Sequence, residues 1–237
     1  ILFVNRKSQL LKLSRPLNLL LAAFTYLLGA SIPAYLGIPF QLMPFALGLV
    51  SVLFAQSGMA LLGEVFRPHN EPLVDGETPQ QKETLRNNML YVSVGLIATC
   101  GLIIFIVFIN HNLTLSTFYF LLFSILLVLA YALPPVRLAD RGFGELILSA
   151  HIAYVIPNIG FLLQTGENHR LLFVLATPLV ALGLAYFLIL NFVNFQSDQK
   201  YQRGTLLRRL TWEHAVPLHH SLIAFAYVMY ALTPMLG

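Results

Sequence analysis

The chain of 237 residues is 57% hydrophobic and only 10% charged, with a formal net charge of +4 and a mean hydropathy of +0.75. A soluble domain carries about 25% charged residues, so these charges are too few to cover a globular surface. The basic excess falls in short segments between apolar runs, which excludes a nucleic-acid-binding domain, and the single Cys100 excludes an intrachain disulfide and a CxxC metal site.

Residues 1–16 read as a polar amino-terminal segment. It opens on Ile1 rather than Met, as expected of a piece of a longer chain, and shows no leader pattern. Seven apolar runs follow, at 17–36, 41–63, 89–109, 115–134, 144–164, 171–193 and 215–236. Each approaches the ~20 residues that cross a hydrocarbon core as a helix. None alternates apolar with polar residues as a barrel strand does, and lipid admits only helices or closed barrels. The expected fold class is therefore all-α: one polytopic transmembrane domain over residues 1–237.

The links at 37–40, 110–116 and 165–170 are short, whereas those at 64–88, 135–143 and 194–214 are long. The amino-terminal segment and the three long loops hold thirteen of the fourteen basic residues, with Arg170 the exception. Cytoplasmic loops carry the Lys and Arg excess, so the amino terminus and long loops are expected in the cytoplasm. Nine of the ten acids lie on that face too, Glu167 being the exception. Acids carry little topological weight, so their clustering speaks of function: a polar mouth above an apolar interior.

Pro72-Leu-Val-Asp-Gly76, Tyr131-Ala-Leu-Pro-Pro-Val-Arg137 and Asn194-Phe-Gln-Ser-Asp198 stand at the three long loops of that mouth, and together they resemble the UbiA superfamily of intramembrane prenyltransferases. Tyr131-Ala-Leu-Pro-Pro-Val-Arg137 with Gly142-Phe-Gly-Glu-Leu146 is similar to the family's YSxPPxRxK…GxGEL segment. Pro72-Leu-Val-Asp-Gly76 is similar to RPLxxG, and Asn194-Phe-Gln-Ser-Asp198 with Gly204-Thr-Leu206 to DxxxD…GxxTL. Arg15-Pro-Leu-Asn18 fits the start of the first helix, and the patches occur in family order over residues 15–210. The resemblance implies a bundle of usually nine helices that transfers an isoprenoid chain from a prenyl diphosphate to an aromatic or similar acceptor. It also implies magnesium held by NDxxDxxxD and DxxxD carboxylates. Magnesium there neutralises the leaving diphosphate as a Lewis acid.

The departures fall on those carboxylates. Counting back from Pro72 sets NDxxDxxxD on Gln56, Ser57, Ala60 and Glu64, and the second motif starts at Asn194 and keeps Asp198. Two of five expected acids remain, the basic-loop lysine is Ala139, and its neighbour is Asp140. Positions 57, 60 and 64 share one helix face at i, i+3, i+7 spacing, and here they offer a hydroxyl, a methyl and one carboxylate. Mg²⁺ takes octahedral oxygen ligands, for which Glu64 and Asp198 are the remaining candidates. The reading favoured is a non-catalytic UbiA-like protein, an accessory or scaffold subunit that touches membrane lipids and other membrane-protein subunits. It would hold an isoprenoid-bearing molecule: a lipid, a quinone or a chlorophyll-type pigment. The alternative is a divergent Mg-dependent prenyltransferase acting on an aromatic or tetrapyrrole acceptor. Glu64, Asp198 and Asn194 would then be catalytic or metal-binding, with Arg137, Arg141 and Asn18 on the diphosphate.

Two further candidates lie in the fifth span. His151 is ionisable inside the membrane and suits a quinone or tetrapyrrole contact, or a bond to a neighbouring helix. Asn158, like Asn191 in the sixth span, carries the same two readings. His214, His219 and His220 do not share one helix face and point to an interfacial cluster rather than a metal site.

Overall fold

A computed structural model describes residues 6–74, 76–111 and 114–236. Residues 1–5 of the amino-terminal segment, Asp75 in the first long loop, residues 112–113 of one short link, and Gly237 lie outside the described residues. A short helix α1 (Arg6–Leu13) precedes α2 (Pro16–Tyr35), α3 (Leu42–Val65), α4 (Pro79–His111) and α5 (Leu115–Ala132). The fifth span is composite: α6 (Gly144–Ala150), a widened π turn (His151–Val155) and α7 (Ile156–Thr165). Helices α8 (Arg170–Lys200) and α9 (Leu206–Leu236) complete the bundle, so seven segments are long and apolar enough to cross a membrane. The protein is an integral, multi-pass membrane protein.

The helices run further than the apolar runs that marked them. Residues 79–88 wind onto α4, 194–200 onto α8 and 206–214 onto α9, which breaks at Thr211 (φ 62°, ψ 169°). The first and third long loops shrink accordingly to 66–78 and 201–205, whereas the second, 133–143, starts two residues earlier because α5 stops at Ala132. Hydropathy marks the lipid-facing length of a helix, whereas its backbone ladder continues through good polar helix formers such as Gln80–Arg86. The true start of α4 is a reciprocal cap. The Gln81 amide donates to Thr78 Oγ1 at 3.3 Å and the Thr78 amide to Gln81 Oε1 at 3.1 Å.

The three short hairpins are tied together at one end. The Gln41 amide donates to Gln164 Oε1 at 2.8 Å, Gln164 Nε2 donates to the Gln41 carbonyl at 3.1 Å, and the Thr114 hydroxyl donates to the Gly166 carbonyl. The long connections are therefore gathered at the other end. Between the ends, Tyr26, Met59, Val128, Ile156 and Ile159 are buried where α2, α3, α5 and α7 meet. Helices α4 and α9 lie outermost and turn Leu102, Phe105, Phe225 and Val228 outward, as a lipid-facing surface requires.

The tightest helix-to-helix contact at a glycine is backbone on backbone. A Cβ on Gly29 would lie 1.9 Å from the Pro157 carbonyl oxygen, and one on Gly160 2.6 Å from that of Tyr26. Small residues let membrane helices approach this closely, and dispersion between the backbones supplies the attraction. The π turn lies just before Pro157, which has no N–H to offer the Ala153 carbonyl four residues earlier.

Candidate functional site: a charge-balanced cavity at the polar end

A cavity of about 520 Å³ lies among α2, α3, α5, α6 and α8 at the end that carries the long connections. Glu64, Asp198, Asn194, Arg137 and Asn18 all line it, whereas Arg141, His151 and Asn158 do not. The Arg141 guanidinium instead donates to the Pro135 carbonyl at 2.7 Å, on an exposed turn. The chain turns at Gly142 (φ 75°) between Asp140 and Gly144, which both line the cavity.

Local structure sets each of these side chains. Glu64 and Asp198 stand in the last turns of α3 and α8, so both carboxylates emerge where their helices stop. Arg15 adopts a left-handed backbone (φ 55°) directly before Pro16 opens α2, which swings its side chain toward α3. Gly204 lets the 201–205 loop touch the 138–140 turn: a Cβ there would lie 1.5 Å from the Asp140 carbonyl oxygen.

The charged groups form one alternating chain. Arg15 Nη2 lies 3.1 Å from Glu64 Oε1, and Arg15 Nη1 donates to the Tyr131 hydroxyl at 3.2 Å. Arg67 pairs with Glu64 and, at 3.1 Å, with Glu71. Arg203 pairs with Glu71, Nε to Oε2 at 2.9 Å, and with Asp198 Oδ1 at 3.1 Å. All three acids are buried. Tyr131 and Glu64 hold the Arg15 guanidinium above its ordinary value, whereas burial and the nearby Arg67 pull Arg203 down to about 10. Both remain cationic at neutral pH. The cavity lining as a whole holds five basic residues (Lys12, Arg15, Arg67, Arg137, Arg203) and five acidic ones (Glu64, Glu71, Asp140, Glu145, Asp198), so it presents no net charge.

These residues do not fit a magnesium ion. The two acids left from the resemblance, Glu64 and Asp198, are each engaged by guanidinium groups. Ser57 donates its hydroxyl to the Leu53 carbonyl at 2.7 Å, Ala60 has no oxygen to give, and Asn194 Nδ2 donates to the Leu190 carbonyl at 3.1 Å. Among the described residues no three His, Cys, Asp or Glu side chains gather to hold a metal. Sequence reasoning missed Glu71 and took Arg67 and Arg203 only as topology signals. One signal was present: Glu71 stands before Pro72, where the RPLxxG pattern has arginine.

The remaining candidates are bonded within the bundle. Gln56 Oε1 lies 2.9 Å from His151 Nδ1, and Ser124 Oγ lies 2.8 Å from His151 Nε2. With the amide oxygen as acceptor, the imidazole donates at Nδ1 and accepts the Ser124 hydroxyl at Nε2. All three residues are buried, and together they join α3, α5 and the π turn. Exchanging His151 for alanine leaves two buried partners unpaired and is expected to cost about 2 kcal/mol, read as a lowered thermal midpoint in nanodiscs. Asn158 donates to the Tyr154 carbonyl of its own helix at 2.6 Å, and Asn191 donates to Glu145 Oε1. His214, His219 and His220 each face a different backbone carbonyl.

This architecture is that of the UbiA fold. The structure of a UbiA homolog from Archaeoglobus fulgidus bound to GPP and Mg2+ matches 97% of this chain and 78% of its own, with a TM-score of 0.66 at 17% identity. A structure of a UbiA homolog from the same organism bound to Cd2+ matches 97% and 79%, with a TM-score of 0.63 at 16% identity. No family model matches the sequence, and no curated protein matches it.

Proposed function

We propose that this protein is a non-catalytic membrane protein of the UbiA fold, which uses its cavity as a binding chamber and serves as an accessory or scaffold subunit of a larger membrane complex. The chamber would take the isoprenoid part of a lipid, quinone or pigment. One observation carries the reading: the Arg15–Glu64–Arg67–Glu71–Arg203–Asp198 chain commits to arginine the two carboxylates that magnesium would need. Prenyl transfer must neutralise a departing diphosphate, and that demands metal ions or free cations at the site. Here Arg15, Arg67 and Arg203 and the three acids are already paired with one another, so magnesium or a polyanion would compete with those ion pairs. The outward apolar faces of α4 and α9 supply surface for lipid and partner subunits. The basic bias supports cytoplasmic placement of the amino terminus and long connections.

The test is direct. Protein in nanodiscs, given Mg²⁺, geranylgeranyl diphosphate and a panel of aromatic acceptors, is expected to release no diphosphate above a protein-free control. Turnover that disappears in Glu64→Ala or Asp198→Ala would instead establish a divergent prenyltransferase. Mild solubilisation is expected to co-purify partner chains; a protein that always emerges alone would end the subunit reading.

A further inference from the structure

The cavity carries polar atoms that the ion chain leaves unused. Glu145 Oε2, the Tyr186 hydroxyl and Arg137 Nε are buried without a hydrogen-bond partner, Thr205 Oγ1 stands beside Asp198, and all four residues line the cavity. Glu145 is only 7% exposed and is held firmly: its Oε1 accepts from Asn191 Nδ2 at 2.5 Å and from the Leu206 amide at 3.2 Å. Those bonds tie it to α8 and to the start of α9 and leave Oε2 as the spare acceptor. The cations are mostly committed, Arg137 Nε excepted. Arg15, Arg67 and Arg203 are spent on buried carboxylates, Arg137 meets Asp140 Oδ2 at 2.7 Å, and Lys12 is exposed at the rim. Buried polar groups in native proteins almost always have partners, so exceptions that cluster around one cavity mark where a partner belongs.

We infer that the cavity's ligand is an amphiphile with an uncharged hydroxyl head on an apolar chain, the class of the long isoprenoid alcohols, and that Glu145 receives the hydroxyl. This rests on the binding-chamber reading above. A hydroxyl both donates and accepts, so it satisfies Glu145 Oε2 and can accept in turn from Tyr186 or Thr205. A diphosphate would instead bring negative charge to a spare carboxylate. The chain would lie along Leu17, Leu148, Phe187 and Leu190. Leu17 is 52% exposed on α2 and offers the chain a way out toward lipid. At about 520 Å³ the cavity is within the size range of small-molecule sites.

Geranylgeraniol, its methyl ether and geranylgeranyl diphosphate, each with and without Mg²⁺, would be compared for binding to the protein in nanodiscs. The alcohol is expected to bind about tenfold tighter than the ether, which has no donor, and tighter than the diphosphate. Glu145→Gln retains Oε1 but puts an amide NH₂ where Oε2 stood, so it should bring the alcohol-to-ether ratio close to one. Tighter diphosphate binding, equal wild-type affinity for alcohol and ether, or a ratio unchanged in Glu145→Gln would each overturn the inference. Should that variant fail to fold, the wild-type ratio decides alone. Diphosphate release would sink the non-catalytic reading whatever the alcohol does. A protein without turnover that fails to prefer the alcohol would sink only this one.

Discussion

Replacing Gly29 by alanine is expected to destabilise the bundle by upwards of about 3 kcal/mol, the high end of what overpacking costs. The added methyl has nowhere to go. Its carbon would sit 1.9 Å from the Pro157 carbonyl oxygen and 2.7 Å from the Pro157 Cα, and these are backbone atoms that no rotamer change can move. Helices α2 and α7 would have to separate, and they meet again at Gly160, where a Cβ would lie 2.6 Å from the Tyr26 carbonyl. The measurement is thermal unfolding in detergent or nanodiscs, with Gly95→Ala and Gly101→Ala as controls. Nothing stands within 4 Å of a Cβ at either control site, so alanine should be neutral or slightly stabilising there. A Gly29→Ala midpoint as high as that of the controls would mean that α2 and α7 are not in contact as described.

The second large effect is expected at Glu71. Alanine there strips two guanidinium groups, those of Arg67 and Arg203, of a buried carboxylate they share. Removing one member of a buried ion pair costs roughly 3–5 kcal/mol, because the partner's charge stays buried without compensation. About 3 kcal/mol is expected here, since both arginines keep a second acid, Glu64 and Asp198 respectively. Asp140→Asn provides the comparison. Its pair with Arg137 is 34% exposed on the acid side, and burial already raises the Asp140 carboxyl against the pull of Arg137. That loss should stay below about 1 kcal/mol. Glu71→Ala that melts no earlier than Asp140→Asn would deny the chain its structural role.

Both expectations bear on function through one physical point. A metal-dependent site must keep its carboxylates unneutralised until the cation arrives. In this protein Glu64 and Asp198 are neutralised by the protein's own arginines, and Glu71 joins the two pairs into a single chain. The chain stabilises the polar end of the bundle, and on the proposed reading the same contacts withhold the ligands that catalysis would use. The binding chamber proposed above keeps spare groups, above all Glu145 Oε2 and the Tyr186 hydroxyl, that suit hydrogen bonds.

Hydropathy was enough to find every membrane span, because lipid penalises an unsatisfied backbone so heavily that ~20-residue apolar runs have one outcome. The motif order from Arg15 to Leu206 pointed to the fold, and Ser57, Ala60 and Asn194 already announced missing carboxylates, since loss of an acid can be read from its letter. The helix ends were less legible, because charged residues such as Lys82 and Arg86 stop a hydropathy run without stopping a helix. Arg67 stands near Glu64 in sequence, and Arg203 near Asp198, so those pairs are local. Tertiary structure alone brought Arg15 to Glu64 and Arg203 to Glu71, from segments far apart in the chain. The same holds for His151, whose contacts Gln56 and Ser124 arrive from α3 and α5. Burial along a helix follows from local periodicity, but a buried charge's partner from another segment depends on contacts far apart in sequence, which periodicity does not encode.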